Sequence, residues 1–570
     1  MAAYGHGRLA TVLTTLAILA GACAPAAGPA PAAAPMAAGG AVPSAAPVRG
    51  GTLVFAIWQE PAGLLPNYAS QTVAGVVGSV AIEGLTDTDT DGNFIPVLAK
   101  QVPTLANGGV KMVAGGKMDV TYELIPDVKW SDGTPLTSAD VKFTWETYVK
   151  DPKVITKDGY SAIEAVDTPT STTVVLHYKQ IYGPYLTRFG GLLPKSLEKE
   201  ADLSKSEYNR KPIGTGPFRI SEFVAGDHIT AERNPSYRVK DRPYLDRIIF
   251  RSVPSREAAI AQLKAGEVDG MWNILEAQVP DLSADQSVRV IATPSATVER
   301  IELNLAKPGD PADPSLRHPV LGDRAVRRAL NLATPKQQII DKLLFGKAKV
   351  GTSPVSQGWA SPKGLSQESY DPNQANRVLD DAGWTKGADG VRAKNGVRAA
   401  LTIMTTSGDK VREQIEQILV DEWRRIGIDL AIKNLPSVVV LSGSFANDPR
   451  KRGSFDAVMY ASTPAIDPHT TMVQRYTTSG IPTSANSGQN FTRFSNPEAD
   501  AAIAEAGATV DQPRRAELYA KALRLLNDDV AIIWLYDRQS LDAFRANVSG
   551  PRGSVWQPIT FNAMDWSIRK

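Results

Sequence analysis

The sequence predicts a mixed α/β protein with more than one lobe. Three observations carry that prediction. The chain has 570 residues, more than a single hydrophobic core organises, and at ~150 residues per domain it corresponds to two to four domain-sized units. Segments with apolar residues at every second position interleave with capped helical segments along the whole body. No internal repeat imposes a solenoid or an array.

The first element after the N-terminal region is GGTLVFAIW, where Leu53, Phe55 and Ile57 alternate with Thr52, Val54 and Ala56. That period of two reads as a strand. DVTYELI (119–125), TTVVLHY (172–178), DLAIKN (429–434) and VAIIWLY (530–536) read the same way. Helices are announced by their starts. Thr137-Ser138-Ala139-Asp140 opens one that carries Val141, Trp145 and Tyr148 on one face. Thr334-Pro335-Lys336-Gln337 combines a capping box with proline at the first helical position, and Gly346 stops that helix. Asp371-Pro372 and Gly383 bracket another, and Asn496-Pro497 and Gln512-Pro513 start two more. The helix 411–425 ends at Gly427 and runs straight into DLAIKN, an αβ unit.

Composition narrows the functional classes. Apolar residues are 43% and charged residues 21%, the balance of an ordinary globular protein. Lys and Arg number 62 against 60 Asp and Glu, a net charge of +2, so no nucleic-acid partner is expected. One cysteine allows neither an intramolecular disulfide nor a cysteine zinc site. The five histidines, at 6, 177, 228, 318 and 469, are scattered. Asp87-Thr88-Asp89-Thr90-Asp91-Gly92 begins like a calcium loop, but its twelfth position is Leu98 instead of a bidentate Glu, so a polar turn is the reading. Gly214-Thr215-Gly216 lacks the last glycine of a dinucleotide fingerprint, and no P-loop, H-E-x-x-H or G-x-S-x-G occurs. No catalytic residue, metal site or cofactor is expected.

The N-terminus reads as an address. In MAAYGHGRLATVLTTLAILAGAC the only charge is Arg8, followed by the apolar run 9–22. That is a signal peptide over residues 1–22, with an apolar run too short to span the bilayer comfortably. Leu19-Ala20-Gly21-Ala22-Cys23 resembles a bacterial lipobox with Ala20 in place of the usual large aliphatic residue, which marks Cys23 for lipidation. The alternative is a plain secretory signal that leaves Cys23 an unused thiol. Residues 23–49, rich in Ala, Pro and Gly, read as a tether kept extended by proline and flexible by glycine. An exported protein, periplasmic or on the outer face of the cell membrane and held by a lipid, is expected.

The tryptophans at 58, 130, 359, 384, 423 and 534 and Tyr460 sit at element ends or in strands, where core packing is the default. Trp272 is placed differently. It lies in GEVDGMWN, just past Asp269-Gly270, where a turn leaves it at a lobe edge able to cap a cleft.

The run YELIPDVKWSDGTPLTSADVKFTWE (122–146) resembles the signature of bacterial extracellular solute-binding proteins of family 5, the oligopeptide-, dipeptide- and nickel-binding components of ABC importers. IEGLTDTDTDGNFIPVLAK, PIGTGPFRI, AERNPSYRVKDRPYLDRIIF, REAAIAQLKAGEVDG, DRAVRRALNLATPKQQIIDKLLFGKA, DPNQANRVLDDAGW and EWRRIGIDLAIKN agree in the same order, from Gly50 to the C-terminus. The resemblance implies a three-part, two-lobed periplasmic-binding-protein clamshell. Its discontinuous first lobe combines residues 50–83, 212–303 and 536–570, with an insert at 84–211 and a second lobe at 304–535. It also implies a non-enzymatic, monomeric binding subunit that captures a peptide or other small molecule between the lobes and delivers it to membrane permease subunits. An exported enzyme or a sensory or chaperone-like protein on the same scaffold is the alternative, as is a component for an oligosaccharide or a metal chelate.

In peptide-binding members the ligand backbone pairs as an added strand, here around 56–60 and 460–464, and water fills the side-chain pockets. The site implied is Trp58, Gln59, Trp272, Asn273, Asn304, Tyr460, Thr463 and Asp467. Trp272 and Tyr460 are expected to face the opposite lobes across the ligand, with Asn304 near the hinge and Asp467 on the far wall. Peptide-binding members hold the ligand ammonium with an aspartate a few residues before an acidic-Pro pair. Here Asp467-Pro468 matches the pair, but the anchoring position falls on Thr463 or Pro464. An ammonium buried without its carboxylate costs about 2–5 kcal/mol.

Overall fold

A computed structural model describes residues 47–569 except 69, 70, 156, 158 and 487. The signal peptide, Cys23 and the tether up to residue 46 lie outside the described residues.

One long sheet organises the body. Its strands, in chain order, are β1 (Thr52–Ile57), then β6 (Phe218–Val224), β7 (His228–Arg233), β8 (Arg247–Ser252), β9 (Gly270–Met271), β10 (Val288–Leu303), β11 (Ala400–Met404), β12 (Asp429–Ile432), β13 (Ala457–Ser462) and β14 (Ile532–Arg545), with the two residues Lys349–Val350 pairing beside β14 at Asp537 and Tyr536. The intervening β2 (Val110–Val113), β3 (Lys117–Glu123), β4 (Ile163–Thr170) and β5 (Thr173–Tyr178) form a separate sheet of order β2-β3-β5-β4. The long sheet runs β12-β11-β13-β10-β14-β9-β1-β8-β7-β6. Its β6–β9 end with β1 makes one half and its β11–β13 end the other.

Two strands belong to both halves. β10 and β14 hold 16 and 14 residues, and at ~3.4 Å per residue each reaches roughly 50 Å. Their lower ends pair Val288 with Arg545, and β14 there pairs with β9. Their upper ends pair Glu302 with Ile532, and β10 there pairs with β13. Between the halves the ladder breaks, from Pro294 to Val298 and again from Glu299 to Arg300. A ladder missing its hydrogen bonds at one level bends there most readily.

The cores follow the sequence pattern. Leu53, Phe55 and Ile57 are fully buried on one face of β1, in a cluster with Phe218, Phe250 and Phe544. Ala56, on the other face, is buried against Met271 and Ala543, so β1 is covered on both sides, as parallel strands require. Ile301, Ile403 and Trp423 centre the second half, and Val120, Tyr122 and Leu176 the insert.

Most helix starts stand where the sequence puts them. In α1 (Ser138–Lys150) the Thr137 N–H donates to the Asp140 carboxylate at 2.7 Å, and Val141 and Tyr148 are fully buried. Further along are α2 (Arg256–Ala265), α3 (Lys336–Leu343), α4 (Pro372–Asp381), α5 (Lys410–Arg425), α6 (His469–Tyr476), α7 (Pro497–Gly507) and α8 (Gln512–Asp529). Asp371 and Asn496 cap α4 and α7. Two starts are corrected. Thr334 caps nothing in α3, because its hydroxyl donates back to Leu330 O at 2.7 Å, and Pro335 itself is the cap residue. α8 is capped one residue early, by Asp511, whose carboxylate accepts from Arg514 N. Asp89 accepts from the Asp91 and Asn93 N–H groups, which makes 87–92 a polar turn.

Candidate functional site

β1 lies between β8 and β9, parallel to both, and all three point their carboxyl ends toward the second half. A crevice beyond the carboxyl ends of parallel strands is where open α/β sheets place their ligands. Trp58 follows β1 and Trp272 follows β9 directly. Their rings stack at 5.6 Å between centroids, 8° from parallel, and Trp272 is 8% exposed. Trp272 stands at the bend that leaves β9, but its ring turns into the core instead of capping an open cleft. Its N–H donates to Ala56 O within the sheet, and its side chain packs with the β1 core.

Asn273, the next residue, adopts left-handed backbone geometry with φ 60°, which Asn tolerates better than most residues. Its N–H donates to Asp542 Oδ1 at 3.0 Å. Its carbonyl and side-chain oxygens accept from Arg256, the first residue of α2, at 2.7 Å from Nε and 2.6 Å from Nη2. The Arg256 guanidinium lies 3.7 Å from the centre of the Trp58 ring. Gln59 is exposed beside them.

The second half contributes the carboxyl end of β13 and the loop after it. Exposed Thr463 shares a 2.7 Å hydrogen bond with Thr297, at the broken level of the β10–β14 ladder. Just above, the fully buried Glu299 accepts from Arg412 at 2.8 Å and from Arg538 at 2.5 Å. Burial raises the carboxyls of Asp537 and Asp542, both on β14, to about 7. Asp537 Oδ1 is buried without a hydrogen-bond partner among the described residues.

Three expected site residues are placed elsewhere. Tyr460 does not face the opposite half. It sits inside β13, 4% exposed, with its hydroxyl donating to Glu302 at 2.7 Å and the Arg300 guanidinium 4.3 Å over its ring. Asn304 is fully buried and donates to Gly453 O and Phe455 O, so its side chain ties β10 to the β13 approach and offers nothing to a ligand. Asp467 is spent on Arg515 of α8, whose Nη1 and Nη2 donate to its two oxygens at 2.5 and 2.8 Å. Arg515 also donates to Gly183 O of the insert at 3.0 Å, while the Gly183 N–H donates to Gly507 O.

Arg256, Arg515, Asp537 and Asp542 are the charged groups that sequence reasoning missed. Arg256 stands in the quoted run REAAIAQLKAGEVDG, but only as the start of a helix. That it reaches Asn273, 17 residues on, depends on the return of the chain through β9.

Two halves of one sheet, joined by a pair of long shared strands and facing each other across strand carboxyl ends, define a two-lobed solute-binding protein. The family model described as bacterial extracellular solute-binding proteins, family 5 (middle), matches residues 94–483, and the chain belongs to that family. Among similar curated proteins, the oligopeptide-binding protein AppA of Bacillus subtilis is 26% identical over 543 residues, covering 92% of this chain and 93% of AppA. Protein XP55 of Streptomyces lividans is 27% identical, covering 85% of this chain and 83% of XP55. Among solved structures, AppA in complex with a nonapeptide superposes with a TM-score of 0.68 over 92% of this chain and all of that one, at 26% identity. NikZ of Campylobacter jejuni in complex with Ni(L-His) superposes with a TM-score of 0.70 over 90% of this chain and 99% of that one, at 25% identity.

Proposed function

We propose that this protein is the exported binding component of an ABC importer, which captures peptides between its two lobes and hands them to membrane permease subunits. The observation that carries the reading is the pair of open strand edges at the crevice. β13 pairs with β11 only at Ala457 and Val458, and the Thr405 hydroxyl donates to Met459 O, so among the described residues no strand covers that side of Tyr460–Ser462. β1 ends its pairing at Ile57, leaving Trp58–Glu60 without strand partners among the described residues. An extended peptide fits such edges by main-chain hydrogen bonds that do not read side chains. The AppA complex, with its nonapeptide, supports the same class of ligand.

In this reading Trp58, Gln59, Trp272, Asn273 and Thr463 form the binding surface. The proposed division is a first lobe (50–83, 212–303, 536–570), an insert (84–211) and a second lobe (304–535), with the upper end of β10 from Val298, Ile301 included, packing in the core of the second lobe. The protein acts as a monomer without catalysing a reaction, held at the membrane by lipid on Cys23. A metal chelate is the second reading, favoured by the likeness to NikZ in complex with Ni(L-His). The test is to incubate protein stripped of bound solute with a peptide and oligosaccharide library and to identify what it retains by mass spectrometry. Peptides recovered unchanged support the proposal. Time-dependent products overturn it in favour of an enzyme, and retention of sugars alone overturns the ligand class.

A further inference from the structure

Around the lobe junction most arginines meet a carboxylate. Arg300 meets Glu302, Arg412 and Arg538 meet Glu299, and Arg515 meets Asp467. Arg256 differs. Among the described residues no carboxylate lies within ion-pair distance of it, and its hydrogen bonds go only to the carbonyl and side-chain oxygens of Asn273. Glu257 and Glu276 act on it through space without touching it. Its Nη1 donates to nothing among the described residues, and the Trp58 indole N–H beneath the guanidinium is buried without an acceptor. Two unused donors, one cationic and one neutral, thus lie together where Trp58 leaves β1.

Both donors are held in place before any ligand arrives. Asn273 grips the Nε–Nη2 edge of Arg256, and the Trp58 ring supports its plane. The ring in turn is stacked on Trp272, which is in the core. An oriented guanidinium with one free edge matches a carboxylate, and a shift of the Trp58 ring that opens its buried indole N–H to the same carboxylate removes the cost of leaving that donor without an acceptor. On the other lobe the carboxylate expected to meet a ligand cation, Asp467, is neutralised by Arg515.

We infer that Arg256 and Trp58 form a carboxylate-recognition subsite, so that the captured peptide is held by its free carboxyl end. The inference rests on the proposed peptide capture and deepens it. The test offers the stripped protein two pools of random tetrapeptides, identical except that one carries free C-terminal carboxylates and the other C-terminal amides. Wild type is expected to retain the free-acid pool at least tenfold over the amide pool. Arg256→Gln is expected to bring that ratio near one. Trp58→Phe, which keeps the ring and removes only the N–H, should lower it severalfold and decides the matter if Arg256→Gln does not fold. Equal retention of both pools by wild type overturns the inference and leaves peptide capture standing, as does a ratio unchanged in folded variants. Retention of neither pool overturns peptide capture and the inference with it.

Discussion

Asp542 shows how much one buried side chain sets. It is 4% exposed and receives one hydrogen bond, from Asn273 N, so burial holds its carboxyl at about 7 against ~3.9 in an unfolded chain. Between those values the folded protein binds the proton and the unfolded one does not. Stability is therefore fully present near pH 4 and falls as pH rises through 7. Asp537 behaves alike. Asp542→Asn keeps an oxygen for Asn273 and removes the charge. It is expected to raise stability at pH 8 by on the order of 2–4 kcal/mol relative to wild type, with no gain at pH 4, as read by urea unfolding at both values. A difference that does not change with pH would show that Asp542 is paired in a way this geometry lacks. Trp272 makes the converse point. As a buried ring stacked on Trp58, its replacement by Ala should cost about 3–5 kcal/mol of folding stability along with ligand affinity. The tryptophan was legible as special, but its place in the sheet was not, because a strand of two residues, Gly270–Met271, has no period to read.

At the scale of elements, the contact of the insert with α8 is the most exacting. Asp467 and Arg515 are both 4% exposed at their side chains, and the same guanidinium reaches Gly183 O. Breaking a buried pair strands a charge, whereas removing both partners does not. Arg515→Met is therefore expected to destabilise by about 3–5 kcal/mol, and the double variant Asp467→Asn/Arg515→Met by clearly less, in a double-mutant cycle. Additive losses would refute the pairing. A Cβ at Gly183 would stand 2.7 Å from Thr509 O, so Gly183→Ala should open this contact while each core stays folded. Small-angle scattering should then show a larger radius of gyration, and an unchanged radius would contradict it. Helix starts were legible because a cap is a local bargain between a side chain and the next three N–H groups. The extent of β14 was not. VAIIWLY predicts a strand over 530–536, but the strand continues to Arg545 because β9 and β10 are there to accept its hydrogen bonds.

At the scale of the whole molecule, the lipid proposed on Cys23 and the broken level of the β10–β14 ladder would serve one task. A binding protein tied by lipid through an Ala-, Pro- and Gly-rich segment stays near its permease and still turns to dock. Cys23→Ser is expected to move the protein from the membrane fraction to the medium or the soluble periplasmic fraction. Membrane association unchanged in that variant would defeat the lipid anchor.

What the sequence determined by itself is everything that local chemistry decides. It specified an α/β class from period and caps and membership of a family from motifs in order across the body, and charge and hydropathy led to the expectation of an export address at the N-terminus. Those signals depend on neighbours a few residues apart, so they survive without coordinates. Only the tertiary structure decided which polar groups are spent. Asp467 looked available until Arg515, 48 residues on, closed over it, and Tyr460 looked like a cleft aromatic until β10 brought Arg300 and Glu302 against it. Arg256 looked like an ordinary helix start until Asn273 and Trp58 came to hold it. Whether a charge is paired or free depends on distances of a few ångströms between residues far apart in the chain, and those distances come from packing.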